Sequence, residues 1–114
     1  MLDDCLFCKI IKGEVPSTKV YENEYVLAFK DIDPVAPVHI LIIPKIHIQS
    51  LNEVDENNIE YIANVQLAIK EVAKICNIKE DGYRIICNTG ENGGQVVHHI
   101  HYHLLGGKKL GSKI

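Results

Sequence analysis

The stretch Gly93-Gly94-Gln95-Val96-Val97-His98-His99-Ile100-His101-Tyr102-His103-Leu104-Leu105-Gly106-Gly107 decides how this 114-residue chain is read. Four of the six histidines lie in it, and His99, His101 and His103 fall two residues apart with an apolar or aromatic residue between each pair. A period of two is that of a β-strand, so the spacing predicts a strand over 96–105. Its three imidazoles project from one face, while Ile100, Tyr102 and Leu104 project from the other. Same-face neighbours on a strand are roughly 6.5 Å apart, close enough for adjacent imidazoles to reach one small ligand or for two to share a metal. The preceding glycines form a loop whose bare backbone N–H groups can approach an anion. Neutral nucleophiles beside an anion cradle suggest chemistry at phosphorus.

Outward from this stretch, the chain shows one domain over residues 1–114, with no repeat, linker or low-complexity tract. Asp3 and Asp4 are candidate caps for a short helix starting near Cys5, and Gly13 is a candidate stop. Lys19 to Glu22 and Tyr25 to Lys30 read as a hairpin turning at Glu22-Asn23-Glu24, and Asp31 to Pro37 reads as a loop. His39 to Ile43 is a buried strand by its branched aliphatics, ended by Pro44. Ile59, Ile62, Ala63, Ile69, Ala73 and Cys76 recur at helical spacing and predict one long amphipathic helix over 56–76. Asp81-Gly82 turns the chain into a strand over 83–87, and a polar, Gly-rich loop leads to the histidines. The expectation is an α+β fold: one mostly antiparallel sheet of about five strands with one short and one long helix.

Composition narrows the function. A formal net charge of −3 with no basic run argues against nucleic acid or a membrane surface as the main partner, so an anionic substrate has to be captured by local donors. The amino-terminal residues show no signal-peptide pattern, and the longest apolar run, Val38 to Ile43, is too short to span a bilayer. A cytoplasmic protein is expected, and there Cys5-x-x-Cys8 is metal-binding or redox-active in preference to disulfide-forming.

Gly94-Gln95-x-x-x-His99-x-His101-x-His103 resembles the signature of the histidine-triad nucleotide hydrolases and transferases. Three further blocks follow the same order in that superfamily: Cys5 to Gly13 with Pro16, Ala28 to Pro34, and Pro37 to His47, with Asn88 beyond them. The chain is most similar to the Hint branch, whose members hydrolyse purine nucleoside phosphoramidates and related adenylated compounds. The resemblance implies that His101 attacks phosphorus to give a covalent nucleotidyl-imidazole, where the isolated strand leaves a surface or metal-binding histidine equally open. It implies that His103 contacts the phosphate or donates a proton near the leaving group, and it counts His99 in the catalytic triad. Gly94, Gln95 and the Val96 N–H would hold phosphate oxygens, with Asn88 as a further polar contact. Phe7, Ile10, Phe29 and Ile32 would surround the base, and Asp31 would accept hydrogen bonds from the ribose diol.

The resemblance further implies a Cys5, Cys8, His47 and His99 zinc set, closed and therefore structural, and a homodimer whose sheets join. His39 is expected behind the triad as a hydrogen-bonding partner, while His98 points away and Cys76 and Cys87 read as small buried hydrophobes. Two departures stand out. Val96 occupies a position where many relatives carry Ser or Thr, and Lys108 to Ile114 lacks the Trp-containing tail of well-studied Hint proteins. Three rival functions follow from the same residues: a dinucleoside polyphosphate hydrolase, a zinc-stabilised nucleotide-binding protein with little turnover, or a zinc hydrolase with the triad as three metal ligands.

Overall fold

The computed structural model describes residues 2–112, so Met1 and the Lys113-Ile114 end of the tail lie outside it. A short helix α1 (Leu6–Ile11) is followed by strands β1 (Lys19–Glu22), β2 (Val26–Lys30) and β3 (Val38–Pro44). The long helix α2 (Ile59–Ile75) and strands β4 (Tyr83–Ile86) and β5 (Tyr102–Gly106) complete the chain. The five strands form one sheet in the order β1-β2-β3-β5-β4, and every pairing is antiparallel. The α+β expectation is borne out, with the mostly antiparallel sheet entirely so.

Alternation along the central strands divides the core in two. Val26, Ala28, Ile40, Ile42, Tyr102 and Leu104 face α2 and pack with Ile62, Val65, Ile69 and Val72 of that helix. Leu27, Phe29, Leu41 and Ile43 face the other way and pack with Cys5, Phe7, Cys8 and Ile10 of the α1 segment. Both faces of β2 and β3 are therefore covered, which explains their unbroken aliphatic runs.

Four local expectations are corrected. The amino-terminal cap of α1 is Cys5, whose Sγ accepts from the Cys8 N–H at 3.4 Å, in place of Asp3 or Asp4. The stop at Gly13 holds, at φ 81° just beyond the Lys12 cap. The triad strand begins at Tyr102 instead of Val96. Ile42 faces Tyr102, so continuing that register would set Pro44, which has no N–H, opposite Ile100, and the Pro44 carbonyl is already taken by the His99 ring. Pro44 itself remains paired, with Val26, so it stays inside β3. Cys76 and Cys87 are half-buried instead of fully enclosed.

Candidate active site and metal cluster

Although the ladder starts late, the period of two governs burial through the whole histidine run. Ile100, Tyr102 and Leu104 sit in the α2-side core, and His99 and His101 are buried on the opposite face beside Phe7. Ile100 is held by its N–H to the Ile48 carbonyl at 2.7 Å. The His101 and His103 rings have centroids 5.1 Å apart, and both border a cleft of about 440 Å³.

The hydrogen bonds assign the tautomers. His101 Nδ1 lies 2.8 Å from the His99 carbonyl oxygen, an acceptor only, so Nδ1 carries the proton and the Nε2 lone pair is free. His39 Nδ1 accepts the Val35 N–H at 3.2 Å, so its proton is on Nε2. That proton is directed at His103 Nδ1, 2.9 Å away, with Asp31 Oδ2 3.3 Å from the same nitrogen. His103 Nδ1 is thereby an acceptor, and Nε2 carries the His103 proton. The expectation that His39 stands behind the triad is borne out. Burial lowers the pKa of His101, and burial with the neighbouring His101 and His39 takes His103 to about 4. Both rings are neutral at neutral pH, one with a free lone pair and the other with a free N–H.

Asp31, His39 and His103 bring their donor atoms within 4.8 Å of one another, a spacing compatible with a cation. The Val35 N–H argues otherwise: it requires the His39 proton on Nε2, and a protonated nitrogen cannot ligate.

The cleft is lined by Phe7, Ile10, Phe29, Asp31, Ile32, Asn88, Gly94, Val96, His101 and His103, all expected, and also by Leu6, Val15, Pro16, Ser17, Lys30, Leu41 and Val97, which the sequence did not single out. Most of the lining side chains are apolar, with Ile32 fully exposed. Ser17, Lys30, Asp31, Asn88, His101 and His103 are the cleft's polar side chains. Gln95 is not brought to the cleft. Its side-chain Nε2 donates to the Gln49 and Val97 carbonyls at 2.7 and 3.1 Å, and its Oε1 accepts the Gly90 N–H at 3.0 Å.

The Gly-rich loop is also less open than expected. The Gly94 N–H donates to the Glu91 carbonyl and the Gln95 N–H to the Gly90 carbonyl, while Asn88 Nδ2 donates to the Gly93 carbonyl at 2.8 Å. Among the described residues only the Val96 N–H of these three backbone donors has no acceptor. Loop atoms tied in this way define a preset rim, and of those three donors the Val96 N–H is the one left for a ligand.

His99 is not brought to the cleft either. It is fully buried, with Nε2 donating to the Pro44 carbonyl at 3.1 Å and Nδ1 lying 3.4 and 3.6 Å from the Sγ atoms of Cys5 and Cys8. His47 Nδ1 lies 3.5 Å from Cys8 Sγ, and the donor atoms of the four residues fall within 4.8 Å of one another. In a tetrahedral zinc site a sulfur and a nitrogen ligand are about 3.6 Å apart, given the usual bond lengths, and these three sulfur–nitrogen separations match that edge. Each histidine offers Nδ1, and the Pro44 carbonyl fixes the His99 tautomer needed for that. Desolvation by burial lowers the pKa of His99 to about 4 and lowers that of His47, keeping both lone pairs available. These four residues could hold a metal. The three triad imidazoles do not converge on a point, which counts against their acting as three ligands of one ion.

The HIT domain family profile matches residues 12–110. The chain belongs to the HIT domain family. It is 47% identical over 111 residues to a protein of Escherichia coli K12 named purine nucleoside phosphoramidase, covering 97% of this chain and 93% of that one. It is 51% identical to the 14 kDa zinc-binding protein of Zea mays, covering 96% of this chain and 88% of the relative. Among solved structures, a HIT family hydrolase from Clostridium thermocellum superposes with a TM-score of 0.96 at 53% identity, covering 100% of this chain and 99% of that one. The matched residues include all five strands and α2, while α1 lies just before them.

Proposed function

We propose that this chain is a nucleotide hydrolase that cleaves purine nucleoside 5′-phosphoramidates through a nucleotidyl-His101 intermediate. The observation that carries the reading is the tautomer pair: a free lone pair on His101 Nε2 beside a free N–H on His103 Nε2, in a cleft lined mostly by apolar side chains. The E. coli relative's name supports the substrate class.

In the first step the His101 Nε2 lone pair forms a bond to phosphorus. The P–N bond breaks with its electrons on nitrogen, and the amine leaves with a proton from solvent. Water then attacks phosphorus, His101 leaves with its lone pair, and the proton returns to solvent. The His101 ring carries positive charge while bonded to phosphorus, and its Nδ1–H is held by the His99 carbonyl. His103 keeps its proton and donates a hydrogen bond to a phosphoryl oxygen or the leaving nitrogen, since the Val35–His39 chain holds it as a neutral donor. The Val96 N–H and Asn88 add donors to the phosphate. Phe7, Ile10, Phe29 and Ile32 enclose the base, and Asp31 accepts from the ribose hydroxyls.

Cys5, Cys8, His47 and His99 hold structural zinc in this reading, as the maize relative's name supports. A closed four-ligand ion contributes folding energy and leaves no position for substrate. Its reduced thiols suit the cytoplasm. The free edge of β4 and the exposed Ile59, Ala63 and Leu67 on one side of α2 suit a homodimer that extends the sheet. Sedimentation at graded concentrations tests that assembly.

The deciding experiment is hydrolysis of adenosine 5′-phosphoramidate by wild type and His101→Ala, with metal assayed in both. Turnover by wild type, none by the variant and equal zinc is the expected result. A wild type that binds AMP without turnover would make it a binding protein instead, and zinc lost together with activity in the variant would point to a metal-centred mechanism.

A further inference from the structure

The single N–H of His39 is hydrogen-bonded to His103 Nδ1, with the two nitrogens 2.9 Å apart. The Asp31 carboxylate stands beside it without a hydrogen bond, Oδ2 lying 3.3 Å from His39 Nε2, while the other His39 nitrogen is pinned by the Val35 N–H. Asp31 has one oxygen occupied, since Oδ1 accepts the Asp33 N–H at 2.8 Å. Its second oxygen is therefore both the one whose charge acts on the His39 N–H and the one left for a ligand, and Asp31 lines the cleft.

We propose that Asp31 is a positioning residue that couples recognition of the ribose diol to the strength of the His103 hydrogen-bond donor, with His39 as the switchable link. The inference rests on the phosphoramidase reading above and extends it. A hydroxyl donating to Asp31 Oδ2 disperses the carboxylate charge and loosens its hold on the His39 N–H. The N–H then goes wholly to His103 Nδ1, and a ring that accepts at one nitrogen donates more strongly at the other. The nucleoside thus strengthens the group that meets its own phosphate. No proton changes owner: His39 and His103 each keep theirs, and only the alignment and strength of one hydrogen bond change.

The test compares adenosine 5′-phosphoramidate with its 2′,3′-dideoxy counterpart, reading the single-turnover rate at saturation separately from the half-saturating concentration. In wild type the dideoxy substrate binds more weakly and also reacts about fivefold more slowly, the worth of one hydrogen bond. In Asp31→Ala the carboxylate charge beside His39 is gone, and the ratio of the two saturated rates falls to about one. In His39→Phe, which has no N–H to share, the ratio is also about one at a lower overall rate, and His39→Gln restores part of that rate. Melting curves establish that each variant is folded; if His39→Phe is not, the wild-type and Asp31→Ala ratios decide. A dideoxy defect confined to half-saturation in wild type would overturn the proposal and leave the phosphoramidase reading intact, as would a rate defect that persists in Asp31→Ala. Failure of wild type to hydrolyse either compound would remove both.

Discussion

Replacement of Gly93 by Ala tests the claim that the Gly-rich loop is a preset rim. A Cβ at Gly93 would lie 2.3 Å from the Thr89 carbonyl oxygen, 3.0 Å from its nitrogen and 3.1 Å from its carbonyl carbon. These are backbone atoms, so no side chain can rotate away, and the Thr89–Gly90 segment has to shift. That segment holds the Gly90 carbonyl and N–H, both bonded to Gln95, and Asn88 Nδ2 is bonded to the Gly93 carbonyl itself. Losing two or three such bonds costs about 2–3 kcal/mol, offset by up to about 1 kcal/mol because Ala restricts the unfolded chain. The net is about 2 kcal/mol. With an unfolding entropy of about 2.1 cal/mol/K per residue, a chain of this size melts about 8 °C lower. The same shift moves Asn88, Gly94 and the Val96 N–H relative to His101, and misplacement by about 1 Å costs about a hundredfold in kcat/KM. Calorimetry and phosphoramidate hydrolysis read the two effects. Gly111→Ala, whose Cβ meets nothing within 4 Å, serves as the control and leaves both unchanged. A Gly93→Ala protein melting within about 2 °C of wild type with kcat/KM within about twofold would refute the preset rim.

The depressed His103 pKa of about 4 makes stability pH-dependent. Between that value and the ordinary histidine value of about 6.5 the unfolded chain binds more protons, so stability rises with pH across this window. After allowance for solvent on the cleft side, His103 accounts for about 1–2 kcal/mol lost from pH 7 to pH 4, read as the urea midpoint of wild type against His103→Gln; a loss as large in the variant would contradict this assignment. Val96 is 84% exposed, so Val96→Ser changes stability by under about 0.5 kcal/mol, while the added hydroxyl beside the phosphate raises kcat/KM; no gain in turnover would show that the side chain does not reach the substrate. Removal of metal by a chelator lowers the melting temperature and the zinc content together, and Cys8→Ser reproduces both without the chelator. Turnover that vanished on chelation while the melting curve stayed put would make the ion catalytic.

The parts of this structure legible in the chain are those set by local period. Alternation through 99–104 placed three histidines opposite three core residues because pleat geometry acts even where the ladder does not form. Helical spacing likewise placed Ile62, Ile69 and Ala73 inside, whereas Ile59 and Ala63 of the same set are exposed. Where β5 begins was not legible, because it depends on which residue of β3 stands opposite, and only the register sets Pro44 there. Asp3 and Asp4 are good caps by residue type, yet Cys5 holds the position because its sulfur sits where the cluster needs it. The loop's self-satisfied N–H groups could not be foreseen, since Gln95 reads as a donor to ligand until its acceptors at Gln49 and Val97 are known. The zinc set was accessible only by resemblance: a three-residue spacing pairs Cys5 with Cys8, but nothing local links them to His47 or His99.

The two halves of the site meet at His99, and in the proposed mechanism this gives a residue outside the cleft a part to play. Its ring is fixed at both ends, Nδ1 against the cysteine sulfurs and Nε2 on the Pro44 carbonyl. A residue so held cannot rotate about its backbone without breaking one of these contacts, so its carbonyl oxygen has a set direction. That oxygen accepts the His101 Nδ1 proton, and it alone selects the tautomer that leaves Nε2 free. Loosening the cluster therefore affects catalysis through a hydrogen bond two residues away, without the ion meeting substrate. The signature of that route is a metal-depleted protein that still binds AMP and still turns over, but more slowly: a carbonyl that wanders leaves a fraction of His101 in the wrong tautomer and does not remove the nucleophile.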